Sequence, residues 1–220
     1  MNIFMNKKYI AEFLGTFFLL ATVVGSGIMA DRLSSGNEGL ALLANSIATG
    51  CILYVAINIF IPISGAHFNP VVSLIMLLKD KITYQQAIIF MALQILGGIL
   101  GVWVSHFIFE LQILQLSSNE RTGISQYSSE SLATFGLLLV IIIGDKYSPN
   151  KLPSLVALYI TSAYWFTSST SFANPAVTIA RTLSDTFSGI NYADTIPFII
   201  FQILGGLLAL WITNFLIEKE

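Results

Sequence analysis

Residues 171–181 read SFANPAVTIAR, the end of a stretch from Leu152 to Ala180 that carries no charged side chain. Asn-Pro in such a stretch is an interruption. Proline has no N–H and suits the first turn of a helix, and asparagine is a good N-cap. Asn174-Pro175 is therefore read as the start of a short helix over about 174–184. The same reading applies to FNPVVSL at 68–74, where Asn69-Pro70 opens a short helix over about 69–78. Irregular backbone at membrane depth survives only when it is buried in protein or lines a wet cavity.

Composition puts both segments in a membrane. The chain has 220 residues, of which 55% are hydrophobic and only 10% charged, against roughly 25% charged in a soluble domain. A formal net charge of −2 gives no basic field for nucleic acid. The single Cys51 has no partner for a disulfide, argues against a structural zinc site, and is read as a small buried helix residue. No metal or cofactor is expected. Charge-free windows cover 13–29, 39–78, 82–109, 131–144, 152–180 and 195–217. A spanning helix needs ~20 apolar residues. The second and fifth windows are long and interrupted by proline, so each reads as a full span followed by a half-span. The fourth becomes long enough only with Glu130 at its edge. Six spans follow, at about 9–30, 39–62, 84–109, 128–145, 152–169 and 195–217. Lys7 and Lys8 resemble the start of a secretory signal. The following apolar run is too long for one, and Ile28-Met29-Ala30 lacks a small residue at the first of its three positions, so a retained helix is expected.

Lys7, Lys8, Lys79, Lys81, Lys146, Lys151 and Lys219 fall on one side of such a bundle, and Arg32, Arg121 and Arg181 on the other. Lys and Arg favour the cytoplasmic face, so both termini are expected there. The polar stretch 116–131 is then an outer loop, with no pattern that assigns it chemistry.

The chain is also written twice. FMALQILGGILGVWVSHFI (90–108) returns as FIIFQILGGLLALWITNFL (198–216), AEFLGTFFLL (11–20) as SESLATFGLL (129–138), and the Asn-Pro segment as ANPAVTI (173–179). Three spans per half force the second half to enter from the opposite side, giving an inverted repeat about an axis in the membrane plane. The halves are about 1–110 and 128–220, joined by a loop at about 110–127, in one transmembrane domain over 1–220. Gly97-Gly98 and Gly205-Gly206 read as close helix packing, and Gln94 and Gln202 as interhelical hydrogen-bonders. Inverted symmetry brings the two half-helix starts together near the midplane. Their positive ends and Asn amides face one point, and backbone carbonyls of the preceding loops form acceptor ladders. Such a path suits a neutral polar solute and opposes cations and protons.

Six spans, an inverted repeat, SGAHFNPV and FANPAV together resemble the aquaporin (major intrinsic protein) family over nearly the whole chain. The resemblance implies an all-α membrane fold with two re-entrant half-helices, a homotetramer with one pore per subunit, and an inner-membrane location. It implies a pore midplane at Asn69, Pro70, Val71, Asn174, Pro175 and Ala176. Val71 replaces the usual alanine. Intramembrane carboxylates commonly serve function, as in proton relays. The family instead gives Glu12 and Glu130 the task of bracing the re-entrant loops. His67 is expected to line the pore or fix its loop, and His106 to lie at the interface.

Water-selective members have a narrow outer filter containing an aromatic, a histidine and an arginine, the last three residues after the second Asn. Here that residue is Val177. The family's spacing, counted back from Asn69 and Asn174 without gaps, places the other filter positions at Thr49, Ser162 and Ser171. This set has no bulky ring and no cation, and implies a widened pore for small neutral solutes: glycerol-like polyols, urea, or metalloid hydroxides such as arsenous acid, with water. NPAVTIAR resembles a bacterial subgroup associated with arsenic handling, which shares the missing arginine. A competing reading has Tyr164, Trp165 or Phe172 refill the constriction. Arg181 has two readings. It lies four residues and about 6 Å beyond Val177 on the same face, where it could supply a displaced filter charge. It could equally snorkel at the interface, paired with Asp185.

Other classes fare worse. A secondary transporter can share inverted repeats and broken helices, but this midplane offers asparagines and no titrating carboxylate. An enzyme is not expected: His67 and His106 sit on separate elements, with no nucleophile set or nucleotide loop. A closed packing protein is a matter for permeation measurements.

Overall fold

A computed structural model describes residues 6–217, so Lys219 lies outside the described residues. The helices are α1 (Lys7–Leu33), α2 (Glu38–Ser64), α3 (Pro70–Leu78), α4 (Tyr84–Ile108), α5 (Ile124–Tyr147), α6 (Leu152–Phe166), α7 (Pro175–Arg181) and α8 (Thr195–Leu216). Five of them are long and apolar enough to cross a membrane. The sixth span is α6, whose 15 residues rise only about 22 Å. A 3₁₀ turn at Pro149–Lys151 extends it at one end. Helices α3 and α7 are the half-spans.

The expected spans are all present, with shifted ends. Helix α5 begins at Ile124, inside what reads as polar loop, with Gly123 at φ 119° as its N-cap and no side-chain capping bond. Helix α6 stops at Phe166 because the chain turns extended at Thr167 (ψ 138°) and enters the second re-entrant loop. Helix α2 runs past Pro62 to Ser64 and ends on Gly65, whose φ of 94° suits a residue without Cβ.

Packing follows the repeat. Helix α1 lies on α4 and α2, and α5 on α8 and α6. The glycine pairs set the approach: a Cβ on Gly97 would sit 2.3 Å from the Phe13 carbonyl oxygen, and one on Gly205 2.2 Å from that of Ser131. Backbone cannot yield as a side chain can. Gly97→Val is therefore expected to cost at least about 3 kcal/mol. The protein should lose its monodisperse detergent peak, while lipid-facing Leu96→Val keeps it. Gly206 explains the tolerance of Val71, because a Cβ there would lie 2.6 Å from a Val71 methyl. Val71 occupies the space that the glycine leaves.

Outward surfaces are apolar, as with Phe18, Leu158, Trp211 and Phe215. Cys51 is exposed on α2 rather than buried. The polar groups are inside: Glu12, Gln94, His106, Glu130 and Gln202 are fully buried. Lipid offers no hydrogen bonds, so polar side chains turn inward and pair.

Candidate functional site: a cavity between the two re-entrant loops

The loops 65–69 and 170–174 share one backbone pattern. Gly65, Ala66 and Phe68 have φ of 94°, 54° and 50°, and Thr170, Ser171 and Ala173, each 105 positions later, have 63°, 53° and 48°. Five of these six are not glycine, and each left-handed residue costs on the order of 1–3 kcal/mol. Something must hold them.

The buried carboxylates do. Glu12 accepts from the N–H groups of His67 (3.0 Å) and Phe68 (2.8 Å), from Ser64 Oγ (2.5 Å) and from Gln94 Nε2 (2.8 Å). Glu130 accepts from the N–H groups of Phe172 (2.9 Å) and Ala173 (2.8 Å), from Ser169 Oγ (2.5 Å) and from Gln202 Nε2 (2.6 Å). Donor for donor, the two sets match across the repeat. Ser64 and Ser169 were not singled out in the sequence, although the 105-residue offset of the Asn-Pro segments pairs them.

Each Asn caps its own half-helix and reaches across to the other loop. Asn69 Oδ1 accepts from Val71 N (2.9 Å), and its Nδ2 donates to the Ala173 carbonyl (2.7 Å). Asn174 Oδ1 accepts from Ala176 N (2.9 Å) and Val177 N (3.3 Å), and its Nδ2 donates to the Phe68 carbonyl (2.8 Å). An amide nitrogen carries two hydrogens, so each Asn keeps one for a solute.

Both asparagines line a cavity of about 520 Å³. By topology it runs from Lys8, Lys81 and Asp145 at one end, past His67, to Thr49, Tyr164, Ser171, Val177 and Arg181 at the other. His67 is held by its own N–H on Glu12, by Nδ1 against Ser73 Oγ (3.0 Å), and edge-to-face on Phe90.

At the end lined by Thr49 and Arg181 the structure corrects the sequence reading of α6. Ser162 is exposed, donates to the Tyr159 carbonyl (2.7 Å), and lies off the cavity. Val156, Ile160 and Tyr164 line it at four-residue spacing, and Ser162 is turned about 200° from them. Tyr164 Oη lies 3.1 Å from Thr49 Oγ1, so a ring does stand in the neck. Phe172 lines the cavity too, whereas Trp165 donates to Ser46 Oγ, away from it. Ser171 Oγ is buried without a protein hydrogen-bond partner.

Nor is the neck free of cations. Arg181 is buried, with its guanidinium carbon 3.5 Å from the Phe172 ring centroid and its Nε donating to the Ser188 carbonyl. The pairing with Asp185 is absent. Asp185 is exposed and accepts from Ser118 N and Oγ, which hold its carboxyl below the usual range. His106 is also no interfacial residue. It is fully buried, with Nδ1 at the Ile113 carbonyl and Nε2 at Ser184 Oγ, both 2.9 Å.

The connecting segment 116–123, before α5, makes contacts that its sequence does not reveal. Arg121 donates to the carbonyls of Gly189 (3.0 Å) and Ser169 (3.2 Å), and its guanidinium carbon lies 5.0 Å from the Phe172 centroid. Burial pulls Arg121 below the ordinary guanidinium value, and Glu130 and Asp194 oppose that pull.

Comparison with known proteins agrees with this architecture. Residues 2–170 match the family described as Major intrinsic protein. Aquaglyceroporin AqpS of Rhizobium meliloti is 47% identical over 214 residues, covering 97% of this chain and 91% of that protein. Glycerol uptake facilitator protein-like 6 of Lactiplantibacillus plantarum is 34% identical over 142 residues, 62% of each chain. Among solved structures, the aquaglyceroporin from Plasmodium falciparum superposes with a TM-score of 0.73 at 21% identity, covering 94% of this chain and 95% of that one. From six spans, two re-entrant half-helices and paired Asn-Pro caps, as from these relatives, it follows that the chain belongs to the major intrinsic protein family.

Proposed function

We propose that the protein is a channel through which small neutral solutes pass down their gradients: glycerol-like polyols, urea and metalloid hydroxides such as arsenous acid, with water. The observation that carries this reading is the outer neck. Val177 stands where water-selective relatives carry arginine, beside Thr49, Tyr164 and the unpartnered Ser171 Oγ. The hydroxyls of Thr49 and Tyr164 beside the apolar Val177 side chain suit a solute with a carbon or metalloid centre and several OH groups. Similarity to an aquaglyceroporin at 47% identity supports the polyol part. The midplane group is Asn69, Pro70, Val71, Asn174, Pro175 and Ala176, and Glu12 and Glu130 hold its loops. The assembly is a homotetramer in the bacterial inner membrane, with both termini cytoplasmic, as the Lys bias favours.

A second reading has one observation behind it. The Tyr164–Thr49 contact narrows the neck and could leave a water-selective constriction. Liposomes holding the purified protein separate the two when water, glycerol and arsenous acid fluxes are measured together. Solute flux well above empty liposomes is expected, and Val177→Arg should lower it about fivefold by filling the neck. Fast water without solute passage would reject the wide-pore reading. Solute flux driven by a proton gradient would replace the channel with a transporter.

A further inference from the structure

We propose that Arg121, in the outer connecting loop, is a specificity-determining positioning residue that sets Phe172 and Arg181 so that the pore rejects protons and small cations. The inference rests on the channel reading above.

Two guanidinium groups lie against one ring. Arg181 is 3.5 Å and Arg121 5.0 Å from the Phe172 centroid. The ring is fixed from behind, because the Phe172 N–H is on Glu130 and the ring meets Phe198 edge-to-face at 5.3 Å. Both arginines spend their side-chain bonds on main-chain carbonyls, and on neighbouring ones: Arg181 on Ser188, Arg121 on Gly189. The segment after α7 is thus held at successive residues by one arginine from each side. It cannot shift easily, since a Cβ on Gly189 would sit 2.2 Å from the Ser184 carbonyl oxygen.

Arg121 is itself anchored. Its backbone N–H donates to Asp194 Oδ2 (2.8 Å), and Thr122 and Tyr127 hydroxyls occupy Oδ1. Its second donor reaches Ser169, in the re-entrant loop that Glu130 holds. It therefore ties together the outer loop, the second re-entrant loop and the segment beyond α7. Arg181 is buried, lines the cavity, and follows Val177, where the filter arginine would stand, by four residues. A cation–π contact depends on where ring and cation sit, and Arg121 packs against the same ring and holds the carbonyl next to the one that Arg181 uses.

Arg121 belongs to neither half of the repeat. The position equivalent to Phe172 in the first half is His67, which bonds Ser73 instead. The device is confined to the outer mouth.

The test uses full-length protein in liposomes, with proton leak read by a trapped pH dye under a clamped potential and glycerol flux read in parallel. Arg121→Gln is expected to raise proton leak about tenfold, the scale of one lost buried cation–π contact, with glycerol flux unchanged within about twofold. Arg121→Lys should leak likewise, because a point charge cannot hold Gly189 and Ser169 together. The double variant Arg121→Gln/Arg181→Gln should leak no more than Arg181→Gln alone. If Arg121→Gln does not assemble, Phe172→Leu removes the shared ring and is expected to leak in the same way.

Unchanged leak in assembled Arg121→Gln, or in Phe172→Leu, would overturn the proposal. So would rescue by lysine, additive leak in the double variant, or an unaltered channel already as leaky as Arg181→Gln. Absence of glycerol flux in the unaltered protein would instead remove the channel reading itself.

Discussion

Glu130→Leu is expected to reduce solute flux in liposomes to that of liposomes without protein. The substitution puts a branched apolar side chain in place of the carboxylate and removes every acceptor. Four donors converge on Glu130: two main-chain N–H groups, Ser169 Oγ and Gln202 Nε2. Serine and glutamine can turn elsewhere. The N–H groups of Phe172 and Ala173, fixed in the loop backbone, cannot. Each stranded donor costs about 1–3 kcal/mol. The brace also holds Thr170, Ser171 and Ala173 at positive φ, with its own cost in strain. Loss of the acceptor leaves that strain unopposed, against a total stability of only about 5–15 kcal/mol. Glu12→Leu should behave alike, because its four donors match. Glu130→Gln, which keeps one carbonyl, should fall between. Full flux through an assembled Glu130→Leu channel would show that the loop holds its shape without the carboxylate.

The second large effect is on size selection. Tyr164→Ala is expected to admit polyols longer than glycerol, with flux up about tenfold or more, the equivalent of some 1.4 kcal/mol off the barrier. Tyr164 is the ring in the neck, buried and facing Thr49 across 3.1 Å. Removing it opens the constriction beside Thr49 and leaves the Asn pair and both braces untouched. Tyr164→Phe keeps the ring and should keep the cut-off. If Tyr164→Ala excluded the longer polyols as firmly as the unaltered protein, the narrowest point would lie elsewhere, and Phe172 would be the next ring to test.

Much of this was legible in the sequence because it was written twice. Asn69 and Asn174, Glu12 and Glu130, and Gln94 and Gln202 sit at matching places, and duplication marks them out of a chain that is apolar almost throughout. What failed had no second copy or depended on helix phase. Arg121 meets Ser169 and Gly189 across 48 and 68 residues, from a loop with no counterpart. His106 is buried by partners at Ile113 and Ser184 that no local pattern names. Ser162 came from counting residues across the irregular turn after α6, where the phase of a helix cannot be carried over. The four-residue spacing of Val156, Ile160 and Tyr164 was the signal that would have corrected it.

The crossed amide bonds, Asn69 to the Ala173 carbonyl and Asn174 to that of Phe68, stitch the two halves together where the re-entrant loops meet. A pump must rock one half against the other, closing one side before the other opens. These halves are tied where that motion would begin. On the proposed reading, the protein then works as a conductor with no preferred polarity. Whether a given solute enters or leaves is decided by metabolism on either side: a compound consumed inside flows in, and one produced inside flows out.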